Sequence, residues 1–307
     1  MWKDRHVLVT GGSGLIGRPL IARLQDEGAV VWNYDLTEGC SILNRDSLNS
    51  AMNWKDVVFH LAAVSGVEES RRMGCRALET NIVGTMNVLE AARLAPSIKA
   101  VVVASSNHVY GDHHGELTAE WAPLQQLDTY SVSKICADYL ARAYAHNYSL
   151  PTVVIRNTNC FGPGNDHPEH LIEGTILSVL RGERPVIRGT GKTMKSFLYV
   201  DDVVDAFLKA GEWNRGAPPM PWGNAFNISG TRYRVRDIVT LVCTLLKRLD
   251  LEPIIEGNDR DQADENLDTG RAMAWLRWEP QVSLETGILR TAEWYSRHPE
   301  LLGLKVV

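Results

Sequence analysis

Apolar positions along the chain recur with two different periods. Runs of β-branched and aliphatic residues fall at 6–10, 30–34, 57–61, 100–104 and 153–156. Between them lie stretches with helical spacing, at 15–27, 48–52, 80–94 and 130–148. In the third, Ile82, Val83, Met86, Leu89 and Ala92 recur at three- and four-residue intervals. Short apolar strands alternating with helices predict a parallel sheet covered by helices on both faces, with right-handed crossovers. The expected fold class is α/β: a Rossmann-type doubly wound parallel sheet with a smaller, interleaved C-terminal α/β lobe.

The pattern changes after Phe161, where Gly162-Pro163-Gly164 breaks it. Helical spacing returns at 172–181, 203–211, 235–249 (capped at Thr231) and 284–295. The stretches 184–191 and 195–200 surround a polar loop, 216–223 holds three prolines and reads as a surface loop, and 227–229 reads as a short strand. These boundaries predict a first domain over 1–160, with returns to its sheet from about 192–229, and a lobe over 161–307.

Composition narrows the classes. A chain of 307 residues, 44% apolar and 22% charged, buries roughly three quarters of its unfolded surface. Lys plus Arg is 32 and Asp plus Glu is 37, a net charge of -5, so bulk charge points away from nucleic acid. No apolar run approaches a membrane span, and the first strand begins too early for a signal peptide to precede it. Cys40, Cys75, Cys136, Cys160 and Cys243 are odd in number and without CxxC spacing. They read as reduced residues of a cytoplasmic protein.

Candidate chemistry begins at Gly11-Gly12-Ser13-Gly14-Leu15-Ile16-Gly17, which follows the first strand and opens a helix. Glycines at 11, 14 and 17 allow a tight turn, close approach of a pyrophosphate, and close helix–strand packing. Asp35 ends the next strand, where a carboxylate accepts from a ribose diol and repels a 2'-phosphate. This favours NAD over NADP. His60-Leu61-Ala62-Ala63 ends the third strand, and its small residues leave room for a cofactor at the sheet edge. His60 itself reads as a buried, hydrogen-bonded residue.

Tyr130 and Lys134 are four residues apart, on one helix face. A nearby ammonium stabilises a phenolate and brings Tyr130 toward use as a base. Ser106, just past the fourth strand, is placed to meet the same substrate oxygen. A hydroxyl and an activated phenol suit proton removal from an alcohol during hydride transfer.

Together with Thr80-Asn81-Ile82-Val83-Gly84-Thr85, Ser105-Ser106-Asn107-His108-Val109-Tyr110-Gly111, Asn159-Cys160-Phe161-Gly162-Pro163-Gly164 and Phe197-Leu198-Tyr199-Val200-Asp201-Asp202, these pieces resemble a known group. It is the extended short-chain dehydrogenase/reductases, specifically the NAD-dependent nucleotide-sugar epimerase/dehydratase family. The resemblance spans nearly the whole chain. It implies a catalytic trio of Ser106, Tyr130 and Lys134, with Asn81 supporting the arrangement behind Lys134. Cofactor contacts are implied at Gly11, Gly14, Leu15, Ile16, Asp35, Leu61, Ala62, Ala63, Asn81, Tyr130 and Lys134. Substrate contacts are implied at Asn107, His108, Asn159, Lys195 and Arg260. It also implies a homodimer formed through the helices at 80–94 and 130–148, packed as a four-helix bundle. Ala137, Leu140, Ala141 and Tyr144 suit that interface or an ordinary core equally well.

Within the family, 4,6-dehydratases carry Asp-Glu where this chain has Asn107-His108, which weakens that reading. His108 remains a candidate proton carrier or hydroxyl-orienting group. The segment 162–171 looks more like sugar dehydratases, and Ser-Ser-Asn-His is similar to uronate dehydrogenases. Lys195 stands where the family usually has Arg, giving charge without a bidentate fork. The expectation is an NAD-dependent nucleoside-diphosphate-sugar epimerase acting at C4. The alternatives are a 4,6-dehydratase, a uronate or sugar dehydrogenase, and a catalytically silent NAD-binding protein. Asp112-His113-His114 and Asp166-His167 with His170 lack a closed ligand set, so no metal is expected. Asp201 and Asp202 read as caps of the helix starting at Val203, Trp275 and Trp278 as packing of the lobe, and Trp121 as a possible substrate contact.

Overall fold

The structure, a computed structural model, describes residues 1–165, 167, 169–213, 224–257 and 264–302. The first half runs β1 (His6–Thr10), α1 (Gly17–Asp26), β2 (Val30–Tyr34), α2 (Arg45–Met52), β3 (Val57–His60), α3 (Val67–Met73) and α4 (Cys75–Leu78). A π-helical stretch (Glu79–Gly84) leads into α5 (Thr85–Leu94), β4 (Ala100–Ala104), α6 (Thr129–Tyr148) and β5 (Thr152–Asn157). The remainder comprises β6 (Asn159–Phe161), α7 (Leu171–Arg181), β7 (Val186–Arg188), β8 (Met194–Tyr199), α8 (Val200–Trp213), β9 (Ala225–Ile228), β10 (Arg232–Arg234), α9 (Val235–Leu245), β11 (Ile254–Glu256) and α10 (Leu284–Ser296).

Six strands form one parallel sheet in the order β2-β1-β3-β4-β5-β9. Successive strand side chains point to opposite faces, and both faces are covered, so both sets are apolar. Val7, Val9, Phe59, Val102 and Ile155 join Leu20 and Leu24 of α1 and Phe207 of α8 in one core. Leu8, Val58, Val101, Val103 and Val154 join Leu48 of α2, Val88 of α5 and Ala141 of α6 in the other. The chain leaves β1 for β2 on one side and returns as β3 on the other. A crevice therefore opens at the carboxyl ends of β1 and β3, where open α/β sheets bind ligands. Two small sheets, β10-β8-β6 and β11-β7, build the lobe.

The α/β expectation is met, with local differences. The single helix expected over 80–94 is π-helical as far as Gly84. That wider turn lets Asn81 reach sideways to Val64 and Ser133, the kind of place where π-turns concentrate. The polar segment holding α3 and α4 has no apolar stripe to betray its helices. α8 begins at Val200, so Asp201 and Asp202 lie inside its first turn and do not cap it. Asp202 instead accepts from the amides of Gln281 (2.9 Å) and Val282 (3.1 Å), tying the C-terminal segment down. α9 has Arg234, not Thr231, at its N-cap, with no side-chain cap bond. Trp278 is buried and donates to Asp202 O, whereas Trp275 is 53% exposed. The proline-rich stretch 216–223 lies outside the described residues. Among the described residues the five cysteines are free, and no helix is long and apolar enough to cross a membrane.

One buried cation ties the sheet to the longest helix. Arg156 of β5 donates to Asp138 of α6 through Nε (2.7 Å) and Nη2 (2.9 Å). Its Nη1 reaches the Tyr110 hydroxyl (2.6 Å) and Glu120 O (2.9 Å). Tyr110 in turn donates to Asn227 of β9 (2.7 Å). Burial pulls the guanidinium pKa down, but Asp138 outweighs it and holds Arg156 above its ordinary range. Breaking a buried pair by removing one partner costs about 3–5 kcal/mol. Arg156→Met should therefore lose stability of that order in urea unfolding, with buried Asp138 left only its partly exposed Arg142 partner (2.8 Å). The double variant Arg156→Met, Asp138→Leu should recover a large part of it.

Candidate functional site

A cleft of about 1730 Å³ runs along the carboxyl ends of the sheet strands. Gly11, Gly14, Leu15, Ile16, Asp35, Leu61, Ala62 and Ala63 line it, as do Ser106, Asn107, His108, Tyr130, Lys134, Asn159 and Lys195. Of the site residues expected from sequence, two stand apart. Asn81 is buried behind the wall, and Arg260 lies outside the described residues.

The glycine turn is shaped by contact. Gly11 has φ +72°, and a Cβ there would stand 2.5 Å from the Ala62 amide nitrogen. At Gly17 it would stand 2.4 Å from Gly11 O, so α1 packs directly on the turn. At Gly14 the nearest atom is 3.5 Å away, leaving open space in front of the helix start. Backbone N–H groups at a helix N-terminus facing such a space suit a pyrophosphate. The Asp35 carboxylate accepts from Ser13 N (3.2 Å), Thr37 N (3.0 Å) and Thr37 Oγ1 (3.1 Å). Burial raises its pKa, but these bonds outweigh it and hold the group below the usual carboxylate value. The residues present fit NAD: a filled turn, an open phosphate space and an ionised acid beside it.

A hydrogen-bonded chain connects this turn to α6. The Thr85 hydroxyl donates to Asn81 O (2.6 Å), so it accepts from His60 Nε2–H at 2.9 Å. His60 Nδ1 then accepts from the Thr10 hydroxyl (2.7 Å), whose oxygen accepts from Ala62 N (3.4 Å). Burial drives the imidazole pKa down to about 3, with the Lys134 charge adding to it. His60 is a neutral strut. Asn81 clamps Val64 N (2.7 Å) and Val64 O (2.9 Å) and donates to Ser133 Oγ (2.9 Å). Its polar atoms are spent inside the wall, which makes it a positioning residue, not a direct cofactor contact.

Asp128 caps α6 through Ser131 N (3.0 Å) and sets the start of the helix that presents Tyr130 and Lys134. Ser133 Oγ donates to Tyr130 O (2.7 Å), so the Asn81 clamp reaches the catalytic turn. Lys134 Nζ donates to Ala104 O (3.0 Å) and lies 5.9 Å from the Tyr130 ring centre. Burial lowers its pKa to about 8. Ser106 accepts from His108 N (3.2 Å), starting the short turn after β4, and its hydroxyl interacts with the Tyr130 phenol. The Tyr130–Lys134 spacing predicts a phenol pKa lowered by the neighbouring ammonium. In the open cleft burial pushes the Tyr130 pKa up, outweighing the Ser106 contact, and Asp128 adds to the rise.

The substrate side departs further from expectation. Glu265, which no sequence motif marks, is buried at the centre of a cluster. It takes Lys195 Nζ (3.1 Å) on one oxygen, and Asn159 Nδ2 (2.8 Å) and Ser196 N (3.1 Å) on the other. Asn159 gives its second amide hydrogen to Ser196 O (3.0 Å). Both its donors are thus engaged within the protein, and the Lys195 charge is paired. His108 lies edge-on to Tyr130, ring centres 6.0 Å apart. Burial lowers its pKa, opposed by Glu265, so the imidazole is neutral near pH 7. Trp121 is 65% exposed and not among the cleft residues. Ala137 and Ala141 are core residues, not interface residues.

His167, Glu169 and His170 bring ligand-type atoms within 4.8 Å of one another. Each has a protein partner: His167 Nδ1 bonds Glu169 (2.9 Å), and His170 Nδ1 meets Asn165 Nδ2 (3.1 Å).

The NAD dependent epimerase/dehydratase family matches residues 7–229. The chain belongs to that family. It is 31% identical to the dTDP-glucose 4,6-dehydratase of Neisseria gonorrhoeae over 95% of each protein. It is also 31% identical to the UDP-glucose 4-epimerase of Mycolicibacterium smegmatis, over 94% of this chain and 98% of that protein. Other 4,6-dehydratases, including the human one, match at 28–32% identity. The structure of MoeE5 in complex with UDP-glucose and NAD superposes with a TM-score of 0.84 at 28% identity, covering 95% of this chain and 99% of that one.

The buried imidazole has a consequence for acid stability. Its folded pKa is depressed from 6.5 to about 3. Below 6.5 the unfolded chain takes up a proton that the folded one refuses, so stability falls as pH drops from 6.5 toward 3. His60→Gln should flatten that part of the stability–pH curve, measured by urea unfolding at pH 7, 5.5 and 4.5.

Proposed function

We propose that the chain is an NAD-dependent nucleotide-sugar enzyme whose cycle opens by oxidising a sugar hydroxyl to a ketone. The convergence of Ser106, Tyr130 and Lys134 beside the glycine turn carries this reading. NAD, when bound, would supply the hydride acceptor and a positive charge that favours the Tyr130 phenolate. Tyr130 takes the hydroxyl proton. Ser106 holds the same oxygen. Lys134, fixed by Ala104 O, supplies charge on the far side of the phenol and keeps its proton up to about pH 8.

After the ketone forms, two courses are open. The recurrence of 4,6-dehydratases among the relatives favours loss of water. In this chain His108 would do that work. As a neutral base it takes the C5 proton, acidified by the adjacent ketone, and gives it to the departing C6 hydroxyl, so that water leaves. The second course is C4 epimerisation, favoured by the absence of any carboxylate at positions 107 and 108. It needs no further acid or base, only room for the keto-sugar to turn over.

A panel of UDP-, dTDP-, GDP- and CDP-hexoses followed by NMR separates the two. A 4-keto-6-deoxy product means dehydration, and inversion at C4 without loss of water means epimerisation. NADH accumulating with a free uronic acid would overturn both. Tyr130→Phe should reduce turnover by at least about 100-fold while NAD affinity stays within about threefold. Unchanged turnover would remove Tyr130 from its role.

We also infer a homodimer through α5 and α6. Its outer face shows Met86 and Tyr139 exposed, beside Val83 at the end of the π-helical stretch. Sedimentation should give twice the chain mass, and Met86→Glu with Tyr139→Glu should halve it.

A further inference from the structure

The cleft contains one buried acid that the proposed cycle does not use. Glu173 lies in the first turn of α7, is 1% exposed, and lines the cleft. Asn165 Nδ2 (2.7 Å) and Gly162 N (3.3 Å) both donate to Oε1, and the Glu173 amide also bears on the carboxylate. Among the described residues no other residue donates to Oε2. Its loop is held from elsewhere: Tyr295 donates to Asn165 O (2.7 Å), and Arg18 of α1 donates to Gly164 O.

The surroundings of Oε2 favour an anion while disfavouring a second negative charge. Leu171, Gly174, Thr175 and Ser178 of the same 11-residue helix also line the cleft, so its positive N-terminal end faces the ligand space. The charged and titratable groups nearby are His167, Glu169 and His170 on the loop, Cys160 on β6, and Asp201 at the start of α8. α9 presents apolar Val235 and Val239. No cation pairs with the acid among the described residues. Burial pushes its pKa up to about 7, only partly offset by Asn165, its own amide, Gly162 and His167.

We propose that Glu173 acts as a neutral carboxylic acid, donating Oε2–H to an anionic oxygen of the nucleotide sugar at the N-terminus of α7. This rests on the nucleotide-sugar reading above. Binding then draws a proton onto Glu173, and an ionised Glu173 repels the diphosphate. A buried acid kept neutral so that it can donate is an established device elsewhere.

UDP-glucose and dTDP-glucose have no group titrating between pH 6.5 and 8.5, so calorimetric titration with each isolates the protein's protons. The native enzyme should bind at least one of them, with affinity falling about tenfold or more across that range. At pH 8, titrations in two buffers of different ionisation enthalpy should show uptake of about one proton. Glu173→Gln keeps an acceptor for Gly162 and Asn165 and a donor for the ligand. Its affinity should change less than twofold with pH and show no Glu173-linked uptake. The same fall in Glu173→Gln would assign it to Lys134 or the histidines and overturn the proposal. Absence of proton uptake by the native enzyme would overturn it without any variant. If neither sugar nucleotide binds at pH 6.5, the substrate reading falls and this role with it. Binding without pH dependence removes the role of Glu173 alone.

Discussion

The arrangement depends on a charge that cannot reach water. Arg156 sits near the C-terminal end of β5 and meets Asp138 of α6, Tyr110 of the turn after β4, and the backbone at Glu120. An unpaired buried guanidinium is costly, so these three elements are held to the positions that pair it. Two of them carry the residues proposed to be catalytic. Ser106 begins the turn that ends at Tyr110, and Tyr130 and Lys134 lie two turns and one turn before Asp138. The distance from Ser106 to Tyr130 is therefore governed by a cation that touches neither.

A second set of buried polar groups locks the cofactor side to the same helix. Thr10, His60, Thr85 and Asn81 pass one chain of hydrogen bonds from β1 through β3 to the π-helical stretch, and Asn81 continues it to Ser133. Every hydroxyl in that chain has a fixed direction, because the imidazole stays neutral. The glycine turn and the first turn of α6 thus share one framework, which the proposed transfer of hydride and proton at one carbon requires.

Much of this was legible in the sequence, and the exceptions have physical reasons. The strands at 6–10 and 100–104 were readable because strands buried on both faces are apolar throughout, and the half-exposed edge strand at 30–34 because it is rich in β-branched and aromatic residues. The glycine turn, Asp35 and the Tyr130–Lys134 spacing were readable because each is a local pattern. Glu265 and Glu173 were not, since a buried acid looks like a surface one until the fold brings it Lys195 or Asn165. For the same reason Lys195 and Asn159 were expected to face a diphosphate but are engaged with Glu265. The rise of the Tyr130 pKa was invisible because burial has no sequence signature. α3 and α4 escaped because their stability comes from packing against α6, not from an amphipathic stripe.

The larger of the two cores does not stop at the sheet. Phe59 and Ile155 belong to the same apolar mass as Ile176 of α7, Ile238 of α9 and Ile288 of α10. β9 also returns to the main sheet after the lobe has begun. The substrate-side lobe is thus part of the body that holds the strands, with no separate interface about which it could swing. Admission and release of a ligand must come from short loops along the cleft rim, and thermal unfolding of the two halves should be a single cooperative event. Changing specificity in such a molecule means replacing individual rim and wall residues, because the lobe cannot be exchanged as a module without opening the core beneath the cofactor.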